Sequence, residues 1–275
     1  MADHGITMKE RYLAIVLLDL IGSTKFVQKV GAKKAALWLQ YHDRLARSLI
    51  YKFQGREIDR SDGFLLSFEN IVDAVNFALA YQKEIPPKTR LNTRIGIHWG
   101  CVIEIKQEDK FIDAGAKRVE LEGIAKNISA RTMSLCQAGQ VLLTKESIQA
   151  FKKYGKNMHT PKNTRFACVG LYKFKGVKEP QEVYAIGTSV EVLQPPPSSD
   201  KVKRLGGPKY IKKRARDRQV LDWFYWFTFR FGFLVFLFWL YIFTVYPSFR
   251  NVIGLPKEIP FYDSFIEWLV KIIKK

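Results

Sequence analysis

Two aspartates that could together hold divalent cations are the most informative residues of this sequence. Asp19 lies near the end of an apolar run, residues 12–21, and is followed closely by Gly22-Ser23-Thr24, while Asp62 precedes Gly63. A carboxylate at a strand end can hold a hard cation beside a phosphate that the backbone N–H groups of the next turn bind. A second carboxylate on a neighbouring hairpin would complete a two-metal site. Taken singly, each aspartate is also typical of an ordinary strand end or an Asp-Gly turn.

The elements that must position these aspartates alternate between strands and helices. Residues 12–21 have the Val, Ile and Leu content of a buried strand, and residues 56–68 are typical of a hairpin that turns at Asp62-Gly63. Helices are predicted over 32–53, over 72–83 (ended by Pro86-Pro87), over 121–137 and over 145–153, with Thr144 as the cap of the last. The remaining predicted strands are a pair within 93–105 around Gly100, residues 141–144, and a pair within 165–186.

The order of these elements, β-α-β-β-α-β, is that of the ferredoxin-like motif. We therefore predict an α+β fold in which helices pack on an antiparallel sheet. Three cysteines without a Cys-x-x-Cys spacing indicate neither a disulfide framework nor a zinc site, and they fit a reducing cytosolic compartment.

Six short motifs then occur in an order that resembles a known family. They occupy residues 18–24, 61–64, 94–100, 123–131, 139–140 and 175–180. Together they resemble the catalytic domain of class III nucleotidyl cyclases over about residues 12–188. We accordingly predict an N-terminal tail at 1–11 and a cyclase domain at 12–190.

The resemblance implies a reaction and a role for each candidate residue. Such a cyclase joins the ribose 3′-oxygen of a nucleoside triphosphate to its α-phosphorus and releases pyrophosphate, with two Mg²⁺ or Mn²⁺ per active site. The implied metal ligands are Asp19, Asp62 and the carbonyl of Leu20. The implied phosphate-binding residues are Ile21, Gly22, Ser23, Thr24 and Lys175. The implied catalytic residues are Asn127, which orients the ribose, and Arg131, which stabilises charge on the α-phosphoryl group. In this family the metal ligands and the Asn/Arg pair meet across a head-to-tail dimer interface, so a homodimer is also implied.

The residues that would read the base depart from the family pattern. The usual Lys-x-x-Gly-Asp is here Ile58-Asp59-Arg60-Ser61-Asp62, so the base-reading lysine has no clear equivalent, and Arg60 is our candidate for its pocket. The second base-reading position is Glu120. A carboxylate accepts hydrogen bonds, which favours the exocyclic amine of adenine or cytosine. The sequence therefore predicts ATP as the first substrate and CTP as the second.

Three other functions compete with an adenylyl cyclase. One is a pyrimidine cyclase of the anti-phage signalling kind, acting on CTP or UTP, and another is a catalytically silent nucleotide-binding or dimerisation module. The presence of both aspartates together with Asn127 and Arg131 argues against silence. A diguanylate-cyclase-like palm has no support, because no Gly-Gly-Asp/Glu-Glu-Phe run occurs.

The C-terminal third of the chain predicts a membrane anchor. Of a formal charge of +19, residues 201–275 supply fifteen Lys/Arg against five Asp/Glu, and the densest basic cluster abuts an apolar run, which favours anionic lipid over nucleic acid. We predict a Pro-rich then basic linker at 191–218 and a transmembrane segment at 219–247, long enough for a hydrocarbon core of ~30 Å. A buried core helix or an interfacial helix is the alternative.

The distribution of basic residues also predicts the orientation of the anchor. Nine Lys/Arg within 201–218 place the catalytic domain on the cytoplasmic side of the cell (inner) membrane. A basic amphipathic tail at 248–275 leaves both a single-pass helix and a re-entrant hairpin open.

Overall fold

A computed structural model describes residues 7–155, 161 and 163–253, with the side chains of 239–253 excepted. It contains two units, which divide between Lys212 and Lys213. The strands are β1 (Thr7–Leu20), β2 (Arg56–Arg60), β3 (Gly63–Phe68), β4 (Thr93–Lys106), β5 (Val119–Glu122), β6 (Val141–Thr144), β7 (Arg165–Phe174), β8 (Gln181–Gly187) and β9 (Val202–Gly206). The helices are α1 (Ser23–Val30), α2 (Ala32–Lys52), α3 (Ile71–Thr89), α4 (Asp109–Asp113), α5 (Ile124–Leu135), α6 (Lys145–Tyr154), a 3₁₀ turn at Glu191–Leu193, and α7 (Pro208–Ile253).

The first unit is built on one mixed sheet with the strand order β2-β3-β1-β4-β6-β8-β7-β9, and β5 forms a hairpin with β4. The pairing of β4 with β6 is parallel and the other ladders of the described sheet are antiparallel. The first four strands, with the helices between them, have the connectivity and the spatial order of the ferredoxin-like motif. The predicted α+β fold class is confirmed.

Strand β1 is an interior strand of this sheet, between β3 and β4. Because successive side chains of a strand point to opposite faces, Ala14, Val16 and Leu18 enter the core formed with α2 and α3. Leu13 and Ile15 enter a second core, formed with β5 and α5. All five side chains are at most 2% exposed. A strand buried on both faces must be a nearly continuous apolar run, which explains residues 13–18 and fixes the backbone that carries Asp19.

Some elements run longer than the sequence predicts. β1 begins at Thr7, so residues 7–11 of the predicted N-terminal tail belong to the first strand, where they pair with β4. β4 is one continuous strand through Gly100 instead of a strand pair, because it pairs with β1 along its whole length. α3 continues through Pro86 and Pro87 to Thr89. A proline in a helix removes one hydrogen bond to the preceding turn, and here the buried side chains of Ile85 and Thr89 hold the last turn against the core.

The predicted cap of α6 makes a different contact. Thr144 is the residue before this helix, but its side chain makes no capping hydrogen bond. The hydroxyl instead lies 2.8 Å from Nδ1 of His98.

Residues 191–218, which the sequence predicts as a linker, contain ordered elements. β9 adds a strand to the edge of β7, with Val202 opposite Phe174. The hydroxyl of Tyr172 donates to the carbonyl of Pro196 at 3.1 Å, which fixes the proline-rich stretch against the sheet. The sheet therefore extends beyond the last predicted strand pair.

Within the described residues, the second unit is the part of helix α7 from Lys213 to Ile253. By length and composition, the part of α7 at Pro208–Phe238 could cross a membrane. The side chains from Ala215 to Phe238 are exposed, which is unlike a buried core helix. The guanidinium of Arg230 lies 4.6 Å from the ring of Trp226, one turn closer to the basic segment. Residues 254–275, which include most of the predicted amphipathic tail, and residues 1–6 lie outside the described part.

Candidate active site

The pairing of β1 with β3 brings the two aspartates to the same edge of the sheet. Asp19 lies opposite Gly63, and Asp62 precedes that glycine in the turn between β2 and β3. Only glycine fits at position 63, because a Cβ there would lie 1.8 Å from the carbonyl oxygen of Leu18. A cavity of about 320 Å³ opens at this edge, and its lining includes Leu20, Ser23, Thr24, Arg60 and Asp62.

Asp19 has a cationic partner that the sequence does not predict. Arg94 is its cross-strand neighbour on β4. The guanidinium contacts Oδ2 of Asp19 through Nε at 2.8 Å and through Nη2 at 2.6 Å. Arg94 is the first residue of the 94–100 motif and Asp19 is the last acidic residue of β1. The register of β1 and β4 places the two opposite each other.

The donors at this edge fit a hard divalent cation. Carboxylate and carbonyl oxygens such as those of Asp19, Asp62 and Leu20 are ligands that suit Mg²⁺ or Mn²⁺. Within the described residues no cluster of three or more His, Cys, Asp or Glu side chains is arranged for a metal. A cation here would therefore take its remaining ligands from water and from phosphate oxygens.

The predicted phosphate loop forms the turn between β1 and α1. Gly22 has a left-handed backbone with φ of 75° and precedes the first residue of the eight-residue helix. The amide of Ile21 donates to the carbonyl of Asn92 at 2.8 Å, so this N–H is already used. The amides of Ser23 and Thr24 open the helix, where backbone donors have no intrahelical acceptor and can bind an anion.

A second group of predicted residues lies on and beside α5. The hydroxyl of Ser129 is buried and contacts backbone carbonyls of β1 and β4 at 2.9 and 3.1 Å, which seats the helix on the sheet. Asn127 is exposed on the same helix. Nε of Arg131 donates to the carbonyl of Lys175 at 3.3 Å. The structure thus brings Arg131 together with Lys175, which precedes the turn at Gly176.

Two predicted residues, Glu120 and Lys175, lie far from Asp19 within one chain. Glu120 pairs with Ile105 on β4, whereas Asp19 pairs with Arg94 on the same strand. Eleven residues separate the two positions along β4, which corresponds to about 36 Å of strand at 3.3 Å per residue. Lys175 follows β7, which is four strands from β1, or about 19 Å across the sheet at 4.8 Å per strand.

The structure places Arg60 beside Asp62 but commits its guanidinium to other partners. Nε and Nη2 donate to the two carboxylate oxygens of Asp43 on α2, at 2.9 and 3.0 Å. Nη1 donates to the carbonyl of Ser61. Burial would raise the pKa of Asp43, but hydrogen bonds from His42 and Arg60 hold that pKa below its usual value. Asp43 therefore stays charged and remains paired with Arg60.

His98, in the 94–100 motif, is buried. Burial lowers its pKa to about 4, although the charge of Glu146 acts in the opposite direction. Its imidazole is neutral at physiological pH and contacts Thr144. This environment supports the structural role that the sequence predicts for it.

Comparison of the sequence with known proteins finds one distant relative. No protein-family model matches the chain. A curated relative, the serine/threonine-protein kinase pkn2 of Myxococcus xanthus, is 25% identical over 207 residues, which is 64% of this chain and 25% of the relative. The chain thus spans about a quarter of the length of that relative.

Solved structures match over nearly their whole length. The adenylyl cyclase CyaB of P. aeruginosa aligns with a TM-score of 0.58 at 18% identity, over 68% of this chain and 99% of that one. An adenylate cyclase of Trypanosoma brucei aligns with a TM-score of 0.54 at 19% identity, over 70% and 92%. The guanylate cyclase domain of RhGC from Catenaria anguillulae, solved with GTP, gives 0.55 at 19% identity, over 65% and 97%. The chain therefore has the fold of a class III adenylyl/guanylyl cyclase catalytic domain, followed by an apolar helix that is a candidate membrane span.

Proposed function

We propose that this protein is a nucleotidyl cyclase that converts ATP into cyclic AMP and pyrophosphate. In the reaction the ribose 3′-oxygen forms a bond to the α-phosphorus, the bond from that phosphorus to the bridging oxygen of pyrophosphate breaks, and the 3′-hydroxyl proton is lost. The observation that carries the proposal is the register of β1 and β3. It sets Asp19 and Asp62 at one sheet edge beside the turn at Gly22 that opens α1, in a fold whose solved neighbours are cyclases.

The residues at the sheet edge would hold metal and phosphate. Asp19, Asp62 and the carbonyl of Leu20 are the proposed ligands, and two Mg²⁺ or Mn²⁺ bound there would acidify the attacking hydroxyl and neutralise the leaving oxygens. The amides of Ser23 and Thr24 would bind the β- and γ-phosphates at the start of α1.

The residues of the second group would act on the reacting phosphate. Asn127 would orient the ribose, and Arg131 would stabilise the charge that develops on the α-phosphoryl group, where a pre-positioned cation has a large effect. Lys175 would contact the triphosphate. Since Arg131 and Lys175 already touch, they would reach the substrate as one unit.

A complete site needs two copies of the chain on this proposal. Glu120 and Lys175 lie far from the metal ligands in one chain, and a head-to-tail homodimer would bring these two parts of the site together twice. The separation of Glu120 from Asp19 along β4 supports this arrangement.

The base is assigned through Glu120. This side chain is half-buried on β5 between the buried Val119 and Leu121, so it points to the opposite face of the strand. Its carboxylate would accept a hydrogen bond from the amine of adenine. Cytosine offers the same donor, which makes CTP, and hence a pyrimidine cyclase, the second candidate.

The membrane assignment depends on α7. An apolar helix of this length with a basic N-terminal flank would anchor the catalytic domain on the cytoplasmic side of the cell membrane. Anionic lipids, and no nucleic acid, are the proposed partners of the basic flank.

The direct test is product identification. The full chain, purified in detergent, is incubated with each of the four nucleoside triphosphates and Mn²⁺, and the products are identified by mass spectrometry. We expect cyclic AMP from the wild type and none from Asp62→Asn with unchanged melting temperature. Cyclic GMP or cyclic UMP alone would overturn the role of Glu120, and no cyclic product from any nucleotide would favour a silent module.

The shared site has a separate test. Asp62→Asn and Asn127→Ala are each expected to be inactive, because each removes one half of every site in a homodimer. Mixed in equal amounts and allowed to exchange, half of the dimers would carry one intact site, so about a quarter of wild-type activity should return. If exchange is demonstrated and no activity returns, the two halves do not meet between chains.

A further inference from the structure

A continuous set of contacts runs from the core to the turn that carries Asp62. Tyr81 on α3 contacts Nε2 of His42 through its hydroxyl, and both side chains are fully buried. Nδ1 of His42 lies 2.9 Å from Oδ1 of Asp43. Asp43 in turn holds Arg60 through both carboxylate oxygens. The Asp43 carboxylate is thus fixed on one side by the core and on the other by arginine.

The guanidinium of Arg60 is largely buried, and most of its nitrogens already donate hydrogen bonds. Its side chain is 17% exposed and that of Asp43 is 16% exposed. Its guanidinium lies 5.1 Å from the centre of the Phe64 ring, which adds a cation–π contact. Two hydrogen bonds to Asp43 and one to the Ser61 carbonyl use three nitrogens of the group. To hydrogen-bond a nucleotide base, the Arg60 guanidinium would have to give up its contacts with Asp43, the Ser61 carbonyl and the Phe64 ring.

Asp62, by contrast, is placed by its backbone alone. Across the described residues its exposed carboxylate takes part in no hydrogen bond or ion pair. The turn is held by an amide of Ser61 that donates to the carbonyl of Gly63 at 3.2 Å, and by the Arg60 contact to the Ser61 carbonyl. The direction of Asp62 therefore depends on what fixes Ser61.

We propose that Asp43 and Arg60 are positioning residues for Asp62, with Asp43 holding the guanidinium that fixes the Ser61 carbonyl and thereby aims the metal-binding carboxylate. This inference rests on the proposed function, since it assigns Asp62 to the metal. It gives Arg60 a role that differs from base reading. Residues that orient a metal ligand from behind typically change metal affinity by about 10- to 100-fold when they are replaced.

The chain provides a matched control on the same helix. Arg47, one turn after Asp43 on α2, pairs with Glu57 at the start of β2 through two contacts of 2.8 Å. Its guanidinium also lies over the Phe64 ring, at 5.8 Å. This pair links the same two elements but does not touch the turn. Arg47→Gln therefore removes a comparable link and leaves the Ser61 carbonyl as it is.

The test measures Mn²⁺ binding at equilibrium, by the electron paramagnetic resonance signal of free Mn²⁺, with 3′-deoxy-ATP present so that no product forms. The full chain is compared as wild type, Asp43→Asn, Arg60→Gln, the double variant, and Arg47→Gln. We expect both single variants to weaken Mn²⁺ binding about tenfold or more. The double variant should be no weaker than the singles, because the two residues act as one unit. Arg47→Gln should bind within about twofold of wild type. Asp43→Glu, which keeps the charge, should recover part of the loss.

Each contrary result has a distinct meaning. A change in nucleotide preference in Arg60→Gln with unchanged Mn²⁺ binding would overturn the proposal in favour of base reading. An equal loss in Arg47→Gln would show that any link between α2 and β2 suffices, which also overturns it. A wild type that binds Mn²⁺ but makes no cyclic nucleotide would refute the proposed function alone, because binding still tests the positioning role. A wild type that binds no Mn²⁺ refutes both.

Discussion

Replacement of Gly96 by alanine tests whether the seat of α5 controls catalysis. A Cβ at this position would lie 2.2 Å from the backbone nitrogen of Met133 and 2.6 Å from its Cα. Ordinary contact begins at 3.4 Å, so the helix would have to retreat by about 1.2 Å, the difference from 2.2 Å. The obstacle is backbone, and a change of side-chain rotamer cannot relieve it. The hydrogen bond from Ser129 to the carbonyl of residue 96, now 3.1 Å, would be strained by the same movement.

The expected effect on activity is larger than the effect on stability. Overpacking costs about 1–3 kcal/mol, which lowers the melting temperature of a unit of this size by about 2–4 °C per kcal/mol. We therefore expect a decrease of about 5 °C. A displacement of about 1 Å in a catalytic group can reduce turnover about 100-fold, and Arg131 moves with the helix. The measurement is kcat for cyclic AMP formation at saturating nucleotide and Mn²⁺, alongside thermal unfolding.

Gly207→Ala provides the control for this prediction. A Cβ there would meet only the end of the Arg204 side chain, at 3.7 Å, so we expect activity and melting temperature close to wild type. If Gly96→Ala is folded and turns over like the wild type, α5 does not sit as described. If it melts early but keeps its kcat, the position of α5 does not limit the chemistry.

Four further predictions concern single side chains. Ser129→Ala removes a buried hydroxyl that contacts two carbonyls, so we expect about 1 kcal/mol less stability in urea unfolding, and no change would show that water replaces the hydroxyl. Burial lowers the pKa of His98 to about 4, so between pH 6.5 and 4 the unfolded state binds more protons than the folded state. The free energy of unfolding should therefore decrease by up to about 3 kcal/mol as the pH falls through that window. His98→Gln should make the free energy of unfolding less dependent on pH over the same range. Glu120→Gln, whose amide both donates and accepts, should reduce the preference for ATP over GTP about tenfold in a product-ratio assay, and an unchanged ratio would place the base elsewhere. Tyr172→Phe loses the buried bond to Pro196, for which we expect a decrease in melting temperature of about 2–4 °C, absent if residues 191–206 are not docked in solution.

The sequence predicted those parts of the fold that depend on local pattern. The buried run of β1 and the Asp62-Gly63 turn can each be recognised from a few consecutive residues. The two aspartates share one edge of the sheet because β1 pairs with the hairpin that contains this turn. The strand order of the first four strands follows from the same local elements, because the ferredoxin-like connectivity leaves few other arrangements.

The parts that were not predicted depend on contacts between distant residues. Arg94 and Asp19 are 75 positions apart, and the pair is visible only once the register of β1 and β4 is known. Asp43 follows the buried His42 on α2, and nothing in the helical pattern marks it as a partner of Arg60. β9 is short, carries Lys203 and Arg204, and follows a proline-rich stretch, so its composition is that of a linker and its pairing with β7 alone makes it a strand.

The position of β9 determines where the chain can be cut. The amide of Lys175 donates to the carbonyl of Lys201 at 2.9 Å, and β9 covers the outer edge of β7. A shortened protein that ends at the proline-rich stretch would lose this bond beside a proposed substrate ligand and would expose an unpaired strand edge, which is a template for aggregation. Weak activity or precipitation of such a fragment would then report the cut and say nothing about the membrane helix. A soluble fragment suited to crystallisation or assay should instead retain residues through Lys212, where the first unit ends.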